Sequence, residues 1–299
     1  MSTDLTLVAL SCSPVPIELE QALARHLQVL GIEMHGIMSN TIASQLTPYF
    51  SERWSINQII LPEARHALRE IAGDHDADLA FLKSEWISEN ARILAMDMDS
   101  TLINIECIDE IADYAGKKSA VAEITEATMR GEITDFQESL RRRVALLAGV
   151  SAQVLEAVYR ERLKPNLGAV QLLKGAHERG LHTLLVSGGF TFFTEKLREE
   201  FGFTQAQANT LEIIDGKLTG QVLGDIVDGK AKAAYLEKAC LQLGCQKNKA
   251  ITMGDGSNDL LMMAGSGISI AYRAKPIVKE KADAAFDRVG LDAALMLIA

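Results

Sequence analysis

ILAMDMDSTLINIE, residues 93–106, runs four apolar residues straight into two aspartates that stand two positions apart. An unbroken apolar run of this length reads as a strand buried on both faces, the kind found inside a parallel sheet. Its charged end then needs an explanation. Neighbouring carboxylates repel, and each makes the other harder to ionise. Aspartates at such a place either cap the segment that follows or belong to a site.

Working outward, residues 92–299 alternate strand-like runs with helical patterns: ILAMD, LHTLLVSGG, LEIIDGKLTGQV, KAITMGDG and GISIAY, with a helix-like stretch between each and the next. That alternation predicts a doubly wound α/β fold, a parallel sheet with helices on both faces. Residues 107–165 break it, being helical in pattern with no strand between. A helical insertion directly after the first strand would lie over the strand's carboxyl end, where such sheets bind ligands, so a cap or lid is expected.

Ahead of this region, LTLVALSC reads as a strand, PIELEQALARHLQVLG as a helix and IEMHGIMS as a strand. WSINQIILP reads as a third strand, ARHALREIAGDHD as a helix, ADLAFLKS as a fourth strand, and TPYFSERWS as loop. The order βαββαβ is the ferredoxin-like plan. The expected organisation is therefore a small α+β domain over residues 1–84, a linker at 85–91 and a larger α/β domain over 92–299. Two domains suit a chain of 299 residues.

Hydrophobic residues make up 48% and charged residues 23%, the balance of a folded soluble protein. A net charge of -10 argues against nucleic acid as partner, since phosphate backbones are met by basic surfaces. No apolar run is long enough to span a bilayer, and the first residues lack the positive flank of a signal peptide, so a cytoplasmic protein is expected. The four cysteines, Cys12, Cys107, Cys240 and Cys245, are too scattered for a disulfide framework.

Three strands end in polar residues of defined type: Asp97 and Asp99, then Ser187-Gly188-Gly189, then Asp255 with Asn258 and Asp259. In an open parallel sheet these ends converge. Up to four carboxylates in one crevice call for a cation, and an all-oxygen set without histidine or cysteine suits Mg²⁺. Ser187 and its glycines open the helix TFFTEKLREE, which makes them either an anion seat or a plain turn. Lys232, near the start of another helix, either reaches the crevice or stays on the surface, and Lys230 competes with it.

DMDST at 97–101, SGGF at 187–190, a lysine ahead of the last motif and GDGSND at 254–259 together resemble the four motifs of the haloacid dehalogenase superfamily. The closest likeness is to its phosphoserine-hydrolysing branch of the two-domain bacterial type. It covers about residues 92–299; the N-terminal part, by its strand order, resembles ACT-type amino-acid-binding modules, open to a sensing role or to a homodimer interface.

The resemblance implies hydrolysis of O-phospho-L-serine to L-serine and phosphate, the last step of serine biosynthesis, through an aspartyl-phosphate. Asp97 would be the nucleophile and Asp99 the general acid and base. Mg²⁺ would be held by Asp97, the backbone carbonyl of Asp99 and Asp255, with Asp259 in support. Ser187, the Gly188 N–H and Lys232 would bind the phosphoryl group, Lys232 being preferred to Lys230 for its spacing from Asp255, and Asn258 would contact phosphate or orient the lysine. Glu106 would meet the substrate ammonium and Arg143 its carboxylate; apart from the resemblance, Glu106 is an ordinary acid and Arg141, Arg142 and Arg143 a solvated face. Met129 and Phe136 would wall the substrate or simply pack the core. The alternatives are another small phosphomonoester as substrate of the same fold, and a non-catalytic amino-acid sensor.

Overall fold

The structure is a computed structural model that describes residues 5–43, 48–58, 60–83, 86, 91–130 and 132–298, with the backbone alone at 37–43, 48 and 129. The chain opens with β1 (Leu5–Ser11), α1 (Ile17–Val29), β2 (Met34–Ala43), β3 (Pro48–Ile56), α2 (Pro62–Asp74) and β4 (Asp78–Lys83). Leu19, Leu23 and Leu27 recur every four residues, which places them on one face of α1, and all three are buried. The helix is followed by Gly31, whose φ of 72° a side chain would disfavour.

These strands pair antiparallel in the order β2-β3-β1-β4. Leu7 lies between Trp54 on one neighbour and Phe81 on the other, and the three side chains are buried together beneath the helices. The third strand departs from expectation. It covers Pro48–Ile56, most of the stretch read as loop, and Leu61 lies outside it as an exposed residue ahead of α2. Tyr49, Ser51, Trp54 and Ile56 are its buried residues, a two-step alternation that changes phase midway and so hides the strand's period.

The remainder runs β5 (Ile93–Met96), α3 (Cys107–Tyr114), α4 (Lys118–Met129), α5 (Phe136–Ala145), α6 (Gln153–Glu161), α7 (Ala169–Glu178), β6 (His182–Phe190) and α8 (Thr191–Phe201). It continues with β7 (Gln205–Ile214), β8 (Lys217–Leu223), α9 (Gly229–Gln242), β9 (Ala250–Gly254), α10 (Leu260–Met263), β10 (Ile268–Tyr272), α11 (Pro276–Lys281) and β11 (Ala284–Phe286). Strands β11, β10, β9, β5, β6 and β7 are parallel. Successive residues of β5 serve opposite faces: Leu94 and Met96 pack with α7, α8 and the C-terminal run 291–298, while Ile93 and Ala95 pack with α9 and Met262. Burial on both sides explains why ILAM carries no polar residue.

LEIIDGKLTGQV, read as one strand, is instead a hairpin. Asp215 and Gly216 both take positive φ, 49° and 73°, the pairing a two-residue hairpin turn demands. The chain therefore doubles back, and β8 closes that edge antiparallel to β7.

The two groups of strands form one continuous sheet of 11 strands among the described residues, joined where β11 lies antiparallel to β4. Around this seam, the Asp78 carboxylate accepts the backbone N–H groups of Asp287, Arg288 and Val289 at 3.0, 2.9 and 3.0 Å. Tyr49 donates to Asp292 at 2.8 Å, Arg69 to the Ala282 carbonyl at 2.8 Å, and Trp86 to the Leu297 carbonyl at 3.3 Å. Most of the expected linker at 85–91, namely 85 and 87–90, lies outside the described residues.

Candidate active site

Beyond β5, the backbone N–H of Asp97 still bonds the Met253 carbonyl of β9 at 3.0 Å, and the chain then folds into a tight turn. Ser100 takes a φ of 57° there, and the Asn166 side chain clasps the carbonyls of Thr101 and Ile103 at 2.8 and 3.0 Å. The turn thereby holds Asp97 and Asp99 at fixed places. Asp97 Oδ1 accepts the Met98 N–H at 2.7 Å, and Asp99 Oδ1 that of Cys107 at 3.3 Å.

On the neighbouring strand, the ladder between β6 and β7 slips between Val186 and Phe190. Ser187, Gly188 and Gly189 consequently bulge toward the cavity, freed from regular pairing. Ser187 Oγ accepts the Gly189 N–H at 2.8 Å. Asn209, buried on β7, donates to the Gly188 carbonyl and accepts the Val227 N–H, each at 2.8 Å. Gly189 has no room for a side chain: a Cβ would stand 2.6 Å from Asp99 Oδ2 and 3.0 Å from Ser187 Oγ.

Lys232 comes from the first turn of α9, whose start is capped by Asp228 accepting the Ala231 N–H at 2.9 Å. Its side chain is fully buried, with Nζ 2.8 Å from Asp97 Oδ1 and 2.7 Å from Asp259 Oδ1. Lys230, two positions away on the helix, is exposed. The second oxygen of Asp259 accepts the Gly256 N–H at 3.0 Å, and Asp255 accepts from Thr101 Oγ1 at 3.4 Å. Carboxylate oxygens of Asp97, Asp255 and Asp259 all lie within 4.8 Å of one another. Asp99 stands apart from that trio, with its side chain against Gly189 and Cys107.

Burial, then the Asp259 charge, drives the Asp97 carboxyl up, against the pull of Lys232. Burial, then Glu106, pushes Asp99 up to about 8. Burial, then Asp259 and Glu106, pushes Asp255 up to about 7, with Lys275 and Lys232 opposing. Burial works to release the proton of Lys232, but Asp259 and Asp97 outweigh it, so the ammonium keeps its proton more firmly than an ordinary lysine.

These groups open onto a cavity of about 650 Å³ whose opposite wall comes from α3, α4 and α5. Glu106 and Arg143 both line it. Glu106 accepts from Ser100 Oγ at 2.7 Å. Arg143 is half-buried, and its Nε is buried with no partner among the described residues. Arg141 and Arg142 are exposed, and Arg142 pairs with Glu138 at 2.6 Å. The three arginines are thus not one solvated face. Phe136 leans over the glycine loop, 3.1 Å from where a Gly188 Cβ would stand, and its neighbour Gln137 donates to Asp228 at 2.9 Å. Asn258 also lines the cavity; the side chain of Met129 lies outside the described residues.

Sequence reasoning missed Asp109 and Lys275, two further charged residues of the cavity wall. Lys275 follows β10, the strand beside β9, so the convergence of strand ends was a usable signal for it. Asn209 carried no such signal, because its task depends on the slipped ladder.

Acidic side chains, a serine and a buried lysine thus meet at the ends of a parallel sheet, facing helices α3–α5. The family model for haloacid dehalogenase-like hydrolases matches residues 94–264. The chain belongs to that family, and within it groups with the phosphoserine phosphatases. A phosphoserine phosphatase of Polaromonas sp. is 54% identical over 211 residues, 69% of this chain and 89% of the relative. A probable phosphoserine phosphatase from Vibrio cholerae, solved unliganded, superposes with a TM-score of 0.76 at 32% identity, covering 98% of this chain and 86% of the other. A haloacid dehalogenase family hydrolase from Salmonella enterica serovar Typhi superposes with a TM-score of 0.82 at 28% identity, covering 98% of both chains.

Proposed function

We propose that the chain is a phosphoserine phosphatase that hydrolyses O-phospho-L-serine to L-serine and phosphate, the closing step of serine biosynthesis. The observation that carries this reading is one cavity lined by Asp97 and Ser187 on one wall and by Glu106 and Arg143 toward the other. The first pair suits the phosphoryl group and the second the ammonium and carboxylate of an amino acid.

Asp97 attacks phosphorus and the P–O bond to the serine oxygen breaks, leaving an aspartyl-phosphate. Asp99, kept protonated near neutral pH by its burial and by Glu106, delivers its proton to the departing serine oxygen. It then takes one from the water that cleaves the aspartyl-phosphate. Ser187 Oγ, the Gly188 N–H, Asn258 and Lys232 stabilise the phosphoryl oxygens, with the Gly188 carbonyl pinned by Asn209. Lys232 also favours the ionised form of Asp97 from 2.8 Å.

Three carboxylates within 4.8 Å, balanced by one buried lysine, leave an excess of negative charge that fits a hard cation. Asp97, the Asp99 carbonyl and Asp255, with Asp259 beside them, would hold Mg²⁺, which would supply the positive charge that lets these acids stay ionised against phosphate.

Helices α3–α6 act in this reading as the cap, about residues 107–165, over a phosphatase domain of residues 92–299. Residues 1–84 serve as an ACT-like domain, as sensor or dimer contact, joined by the linker 85–91. The described cysteines are free, which suits a cytoplasmic enzyme. Phosphate release from phosphoserine, phosphothreonine and a panel of sugar phosphates, with and without Mg²⁺, tests the reading. It requires Mg²⁺-dependent turnover with phosphoserine among the best substrates by kcat/KM, and fails if sugar phosphates are preferred.

A further inference from the structure

The substrate is an anion, yet the cavity is lined by five acids, Asp97, Asp99, Glu106, Asp109 and Asp255, against two cations, Arg143 and Lys275, in a chain of net charge -10. A third cation, Lys232, is engaged from behind by Asp97 and Asp259. Arg143 sits half-buried on α5, within the helical wall opposite the strand ends.

Lys275 differs from both. Its backbone is anchored, because its N–H bonds the Asp255 carbonyl at 3.0 Å and Pro276 begins α11 directly after it. Its side chain is exposed at the cavity wall, and its ammonium has no hydrogen bond or ion pair among the described residues. The Lys275 charge nevertheless reaches inward, opposing in part the rise that burial imposes on the carboxyls of both Asp255 and Glu106. A fixed backbone with an unengaged cation is what a capture group needs: the position is set, and the charge is available to a newcomer.

We propose that Lys275 is the entry cation of this site, receiving the phosphate dianion of the ester at the cavity rim and acting on substrate capture, not on bond breaking. The inference rests on the cavity being the phosphoserine site. A charge at a rim acts on the encounter, whose rate depends on ionic strength. It has little hold on a step carried out deeper in the cavity.

The experiment compares Lys275→Met, Lys275→Glu and Lys275→Arg with the parent enzyme in steady-state turnover of phosphoserine across a range of ionic strength. Lys275→Met should lower kcat/KM about five-fold or more, keep kcat within about two-fold, and flatten the dependence of kcat/KM on salt. Lys275→Glu should be worse, and Lys275→Arg should restore the parent behaviour. If Lys275→Met keeps kcat/KM and its salt slope, or lowers kcat at unchanged KM, the proposal is wrong. Lys275→Gln replaces the methionine variant if that one is poorly folded, with the same required outcome. Asp97→Asn, assayed in parallel, separates the two levels: full turnover in that variant would overturn the reading of the cavity whatever Lys275 does.

Discussion

The ammonium of Lys232 lies 2.8 Å from the carboxylate of Asp97, with both side chains almost entirely out of water. Neither charge would be tolerated alone at that depth, since an unpaired buried ion costs several kcal/mol. Asp259, 2.7 Å from the same nitrogen, completes the arrangement. Lys232→Met should therefore lose nearly all turnover, and should lower stability by about 3–5 kcal/mol in chelator, the usual cost of stranding a buried partner. Denaturant unfolding with and without Mg²⁺ reads this, and the deficit should shrink when Mg²⁺ is present.

Gly189 offers a sharper steric test. A methyl there would stand 2.6 Å from Asp99 Oδ2 and 2.8 Å from the end of Met98, whereas at Gly188 the nearest atom is the Phe136 ring at 3.1 Å. Gly189→Ala should reduce kcat by about 100-fold by displacing Asp99 from its acting position. Gly188→Ala should do less, because the Phe136 side chain can yield. Equal losses in the two variants would contradict this geometry.

Arg143 and Arg142 are neighbours in sequence with different surroundings. Arg143→Lys should raise KM for phosphoserine by about ten-fold through loss of the planar two-point contact with carboxylate. It should change little with phosphoethanolamine, which lacks that carboxylate. Arg142→Ala should leave both substrates unaffected, since its exposed pair with Glu138 is worth little. The ratio of KM values for the two esters is the measurement.

The raised carboxyls also imply a pH dependence. Asp99 and Asp255, at about 8 and about 7 in the fold, return to about 4 when unfolded. For a group whose folded value is raised, the stabilising contribution is complete below the unfolded value and is lost as pH climbs through the folded one. In chelator, Tm should therefore fall between about pH 5 and pH 8. Added Mg²⁺ should raise Tm more at pH 8 than at pH 6, and a Tm that rises with pH in chelator would contradict the electrostatic account.

The parallel part of the sheet is legible because its polar residues stand at strand ends. ILAM, LLV and AITM are short apolar runs closed by DMD, SGG and GDGSND, and a parallel sheet brings such ends together whatever the loops do. The choice of Lys232 over Lys230 agrees with helix geometry, which turns residues two apart to different faces. What stayed hidden depends on distant pairing. Nothing local in AAF, residues 284–286, announces a strand, and β11 exists by pairing with β10 and β4. Asp78 reads as a strand-start acid, but its bonds go to residues 287–289. Trp54 falls where the third strand and a loop both read from the sequence, because β3 changes phase along its length. The pairing of Asp259 with Lys232 likewise needed the sheet to be built before it could be seen.

In the proposed reaction Asp97 carries the phosphoryl group. Rapid acid quenching during turnover of phosphoserine, followed by peptide mass spectrometry, addresses it directly. A phosphoryl adduct is expected on Asp97 itself, within the 93–106 segment, and neither adduct nor turnover in Asp97→Asn. An adduct on another residue, or sustained turnover by Asp97→Asn, would contradict it.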